Sequence, residues 1–109
     1  MECLRIYAHL DERQLGRLDE YTEDLGLSSN APLLALLVTR AVSNSEYRSG
    51  LVVSESSAGG KVVVMLRPAM AEKFLELLET LGCSRTALAS SLLVQELEER
   101  WLEKALRHG

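Results

Sequence analysis

Residues 4–10 alternate apolar and polar, with Leu4, Ile6, Ala8 and Leu10 on one side and Arg5, Tyr7 and His9 on the other. A period of two predicts a strand with one buried face. Asp11 follows as an N-cap, and Gln14 completes a capping-box pattern. Leu15, Leu18, Thr22 and Leu25 then recur at helical spacing, so the pattern predicts a helix over 12–25 that Gly26 ends. Ser28, Ser29 and Asn30 offer N-caps for a second helix over 29–43. That helix carries Leu33, Leu34, Leu36, Leu37, Val38, Ala41 and Val42 around most of its circumference, which predicts the most buried element of the chain.

The same pattern returns 56 residues later without a gap. Between 5–42 and 61–98, ten of 38 paired positions are identical: Leu10/Leu66, Glu20/Glu76, Glu23/Glu79, Leu25/Leu81, Gly26/Gly82, Ser28/Ser84, Ala31/Ala87, Leu36/Leu92, Leu37/Leu93 and Val38/Val94. Chance would give roughly three or four for so Leu-rich a composition. The second copy predicts a strand over 61–66 and a helix over 68–81, with Pro68 at its first position and Ala71, Phe74, Leu78 and Leu81 inward. Gly82 is its C-cap and Ser84 the next N-cap, for a last helix over 85–106 that runs through Trp101. So short a unit cannot bury its apolar faces alone, and two copies on one chain are expected to pack together. The organisation read from this is a single domain over 1–109, with units at 4–43 and 61–107 joined by a linker at 44–60. The linker is rich in Ser and Gly, although Leu51-Val52-Val53 could add a short strand. Extended, it reaches roughly 60 Å, enough to return the chain to the start of a second strand.

Bulk properties narrow the picture. The chain has 109 residues, 47% of them hydrophobic, enough for a real core. No apolar run approaches membrane-spanning length and no basic-then-apolar signal opens the chain, which points to the cytoplasm and to no membrane partner. Cys3 and Cys83 stand outside any metal spacing and read as reduced thiols. The net charge of −4 argues against a nonspecific polyanion binder. The acids, however, concentrate in 11–24, 72–79 and the C-terminal helix. Arg5, Lys61, Arg67 and Arg85 fall on the strands and helix starts, with no acid among the outward strand residues.

A polar-alternating strand, a helix of about 14 residues, a Gly-x-Ser turn and a longer apolar helix resemble the ribbon-helix-helix family of DNA-binding repressors. The resemblance covers 4–42 and 60–99. Its clearer signature is Val64-Met65-Leu66-Arg67-Pro68 followed by Leu81-Gly82-Cys83-Ser84-Arg85-Thr86-Ala87-Leu88. It implies a mainly α fold with one two-stranded antiparallel ribbon, a tandem ribbon-helix-helix of order β-α-α-linker-β-α-α, forming a single-chain pseudo-dimer. It further implies a transcriptional regulator whose ribbon enters the major groove of double-stranded DNA. Base-contacting residues would be Arg5, Tyr7, His9, Lys61, Val63 and Met65. Val63 and Met65 depart from the pattern, since they can touch only thymine methyl groups. Phosphate contacts would come from Ser28, Ser29, Ser84 and Arg85 at the helix starts, with Pro32 complicating the first of these.

The rival reading is a protein-interaction module, antitoxin-like or an adaptor, that does not bind DNA. Val63 and Met65 would then form an apolar docking stripe, or the Trp101 helix, with Leu102 and Leu106, would dock a partner. Self-association of pseudo-dimers is a further expectation. No catalytic residues, metal ligands or cofactors are expected. His9 and His108 lack partner ligands at metal spacing, and Cys83 lacks a neighbouring base. Glu96, Glu98, Glu99 and Glu103 read as a solvated helix face.

Overall fold

The computed structural model describes residues 2–53 and 60–108, without the side chains of 106–108. The chain runs β1 (Leu4–Leu10), α1 (Glu12–Asp24), α2 (Asn30–Ser43), α3 (Ser45–Ser49), β2 (Gly60–Leu66), α4 (Pro68–Leu81), α5 (Arg85–Glu99) and α6 (Trp101–His108). Local chemistry explains most boundaries. Asp11 and Gln14 form a reciprocal capping box at the start of α1. At its end the N–H groups of Gly26 and Leu27 donate to the carbonyls of Glu23 and Thr22 (3.0 and 2.9 Å), with Gly26 at φ +78°. This is a Schellman closure, which needs the left-handed glycine. Pro68 opens α4 where no N–H is required, and Gly82 closes it in the left-handed region.

β1 and β2 pair antiparallel as the only sheet among the described residues, from Leu4 opposite Leu66 to Leu10 opposite Gly60. The pleat sends Ile6, Ala8, Leu10, Val62, Val64 and Leu66 inward, and all six are buried. α5 packs across β1 and α2 under β2. Leu18, Phe74, Leu33, Leu34, Leu37, Leu88 and Leu93 complete the core. Each fully buried side chain of this kind contributes about 1.5–3 kcal/mol relative to exposure.

The structure corrects the expected fold class. Among the described residues it has one two-stranded sheet and six helices, and it does not divide clearly into a tandem ribbon-helix-helix of order β-α-α-linker-β-α-α. Two local events account for the extra helices. In the expected linker, the Asn44 side chain accepts from the Tyr47 N–H (3.0 Å), starting α3, and Tyr47 is buried. Residues 51–53 form no strand, and 54–59 of that linker lie outside the described residues. The expected last helix is broken at Arg100, which takes a left-handed conformation (φ 53°) between α5 and α6. The most deeply buried helix is α5, not α2. Leu36 is 44% exposed whereas Leu92, its counterpart at the 56-residue offset, is fully buried. Among the described residues no helix is long and apolar enough to cross a membrane.

Glu96 explains the break at Arg100. It is 1% exposed and so does not belong to a solvated face. Its Oε2 accepts from the Tyr21 hydroxyl (2.6 Å) and from the Leu102 N–H (2.8 Å), and the Glu103 N–H donates to the Tyr21 oxygen (3.2 Å). The carboxylate therefore caps the first turn of α6, where free N–H groups and the helix dipole favour an anion. Nearby, the Arg40 guanidinium lies 3.7 Å from the Tyr47 ring centroid and 4.0 Å from that of Trp101, tying α2, α3 and α6 together.

Two outcomes follow from these contacts. Tyr21→Phe removes one donor from a buried carboxylate and the acceptor of the Glu103 N–H. Urea unfolding should show a loss of about 1.5–3 kcal/mol, and a loss below about 0.5 kcal/mol would mean the bond adds nothing net. Burial pushes the Tyr47 phenol up to about 12 from 10.0. Burial raises the Tyr21 phenol as well, with the Glu96 hydrogen bond adding to the effect. The unfolded chain therefore releases these protons first as pH rises, so the Tyr47 contribution is complete below about pH 10 and is lost on going through about pH 12. Denaturation midpoints measured from about pH 8 upward should fall only beyond about pH 10, and less steeply in Tyr47→Phe.

Candidate functional site

The outer face of the ribbon follows directly from the register. Arg5 stands opposite Met65, Tyr7 opposite Val63 and His9 opposite Lys61, which brings all six expected contact residues onto one surface. Arg5 and Lys61 are exposed, and Tyr7 and His9 are half-buried. Val63 and Met65 are 40% and 51% exposed, and they adjoin on β2 as two of the few large apolar side chains left open. The face contains no carboxylate. Among the described residues neither Arg5 nor Lys61 is in an ion pair. The Lys61 ammonium lies 5.6 Å from the Tyr7 ring centroid, a loose cation–π contact that keeps the lysine over the sheet.

The ribbon is held from beneath by a residue that sequence reasoning did not single out. The His9 N–H lies on the outer edge of β1, unpaired by any strand among the described residues, and it donates to Ser90 Oγ on α5 (2.8 Å). Ser90 is buried. The adjacent serines Ser90 and Ser91 within an otherwise apolar stretch of α5 were the available signal. The His9 Nδ1 is buried without a hydrogen-bond partner among the described residues, which leaves the other ring nitrogen as the imidazole's available polar atom.

The two helix starts expected to bind phosphate are unlike each other. At α5, Ser84 is the N-cap, its Oγ accepting from the Ala87 N–H (3.1 Å), and Arg85 is exposed at the first helical position. At α2, the N-cap is Ser29, whose side chain makes no capping bond, and Pro32 removes an N–H from the first turn. Ser28 and Ser29 line an open recess with Asp19 and Glu23. Asn30 turns back into that recess, donating to Asp19 Oδ1 (2.8 Å) and accepting from Thr22 Oγ1 (3.0 Å). Carboxylates here oppose an anion, so α5 offers the better grip on phosphate.

Elsewhere chemistry is sparse. No group of three or more His, Cys, Asp or Glu among the described residues could hold a metal. Cys3 is exposed and Cys83 half-buried, and they are not joined. Trp101 spends its ring on Arg40 and is half-buried, and the Leu106 and His108 side chains lie outside those described. No protein-family model matches the sequence, and no curated protein or solved structure does so either.

Ser90→Ala should leave the His9 N–H unpaired at a half-buried edge and cost about 1–3 kcal/mol in chemical denaturation. The His9 amide should also exchange faster with solvent than in the unaltered protein, and equal exchange would contradict a positioning role for Ser90.

Proposed function

We propose that this protein is a DNA-binding regulator that lays the outer face of its β1–β2 ribbon in the major groove. The observation carrying this reading is the antiparallel register, which gathers exposed Arg5 and Lys61 with half-buried Tyr7 and His9 on one outward, acid-free face. A two-stranded ribbon has the width to enter the major groove, where each base pair shows a distinct donor and acceptor pattern. Arg5 can bond a guanine through two hydrogen bonds, Lys61 supplies a point charge, and Tyr7 and His9 supply single bonds. Arg85 at the start of α5 supports a phosphate contact. The resemblance to ribbon-helix-helix repressors supports the same activity, and a cytoplasmic location goes with it.

The exposed pair Val63 and Met65 favours a second reading, a protein-interaction module in which a partner covers that stripe. The two readings separate experimentally. Arg5→Ala should cost about 1–3 kcal/mol on a cognate site if the guanidinium bonds guanine. Arg85→Ala should weaken all sequences alike and flatten the salt dependence. Absence of any salt-dependent binding to genomic DNA at low ionic strength would sink the regulator reading. The double change Val63→Thr, Met65→Gln should leave the fold intact, because both side chains point away from the core. Loss of a protein complex with unchanged DNA affinity would favour the interaction module, whereas an altered base preference would favour the regulator.

A further inference from the structure

The outer face of the ribbon has two chemically different ends. Arg5 faces Met65 at one end and His9 faces Lys61 at the other, with Tyr7 and Val63 opposed between them. The 56-residue offset maps Tyr7 onto Val63, Arg5 onto Lys61 and His9 onto Met65. Two identical strands in this register would carry the same two residues at each end and read a palindrome. Here one end offers a guanidinium and a thioether, and the other an ammonium and an imidazole. From Arg5 to His9 a strand spans about 13 Å, which is about four base-pair steps of duplex. The two ends therefore fall on different base pairs within one stretch of groove.

We infer that this face reads a short duplex site without internal two-fold symmetry, with its orientation set by the Arg5 end. The inference rests on the DNA-binding reading of the ribbon. Arg5 is exposed and outside any ion pair among the described residues, so its planar fork is available for guanine O6 and N7 together. Met65 beside it is half exposed and apolar, and it fits the methyl group of a neighbouring thymine. At the other end Lys61 is a compact charge lying over the Tyr7 ring, satisfied by any acceptor in reach. His9 has one ring nitrogen buried and at most one bond to give. Base discrimination is thus concentrated under Arg5 and Met65, while Lys61 and His9 add affinity with little choice. The helix starts are also unlike each other, with Arg85 at α5 and Asp19 and Glu23 beside the start of α2.

Enrichment of random duplex DNA by the full-length chain tests this. The enriched motif should lack internal symmetry and hold its strongest position at a G·C pair next to a T. Arg5→Ala should lower the preference at that one position about tenfold or more. Lys61→Ala should weaken all sequences and leave the motif unchanged. The double change Lys61→Arg, Met65→His gives both ends an arginine beside a histidine and should make the outer positions of the motif palindromic. A palindromic motif from the unaltered protein would overturn the inference while the DNA-binding reading stands. Enrichment of no sequence, with no salt-sensitive duplex binding, would remove the DNA-binding reading and this inference with it.

Discussion

The backbone pairing of β1 with β2 makes a sheet of only two strands, and such a sheet is marginal in water unless one face is covered. That requirement organises the molecule. The strands are distant in sequence, so their pairing closes the chain and brings the helices that follow each of them into one core. Ile6, Ala8, Leu10, Val62, Val64 and Leu66 need an apolar floor, which α5 and α2 supply. Because side chains alternate along a strand, burying these six forces Arg5, Tyr7, His9, Lys61, Val63 and Met65 to the other side. The candidate site is the remainder of the core's own pattern.

The second constraint is polar. Glu96 and Arg40 occupy equivalent positions at the 56-residue offset, yet they carry opposite charges and hold the C-terminal helix by different means. Glu96 accepts from the Tyr21 hydroxyl and the Leu102 N–H, whereas Arg40 lies between the Tyr47 and Trp101 rings. A buried charge is tolerated only where partners replace its water. Buried Glu96 has them in hydrogen bonds, and half-buried Arg40 has aromatic faces while its Nη1 is buried and unpaired among the described residues. These contacts place α3 and α6 against one side of the core, so the two halves of the chain are not equivalent in space.

Net charge is a poor guide to such a molecule. Sixteen acids outweigh twelve bases, but exposed charges are screened over about 10 Å at ordinary salt. What a ligand on the ribbon meets is Arg5 and Lys61 with no carboxylate on the same face. What an anion meets at the start of α2 is Asp19 and Glu23.

Much was readable where the signal is local. The alternation of residues 4–10, the Asp11–Gln14 box, Pro68 and Gly82 act over one to four residues and set their elements directly. Arg5, Tyr7 and His9 follow from the period of two in 4–10, whereas Val63 and Met65 lie in the unbroken apolar run 62–66 and are set outward only by the repeat and the resemblance. The sequence did not reveal α3, because Asn44 with a Ser-rich stretch looks like a linker until Tyr47 finds Arg40 to stack on. Nor did it reveal the break at Arg100, where no Gly or Pro marks a stop. That break forms because a carboxylate on α5, anchored by a tyrosine on α1, captures the Leu102 N–H. Glu96 looks solvated in a run of acids for the same reason, since its partner Tyr21 lies 75 residues away. The sequence by itself determined which side chains alternate, cap and turn, because those choices depend on near neighbours. Only the tertiary structure decided which polar groups are buried, which residues oppose each other across the ribbon and where the last helix breaks, because each depends on a partner from across the core.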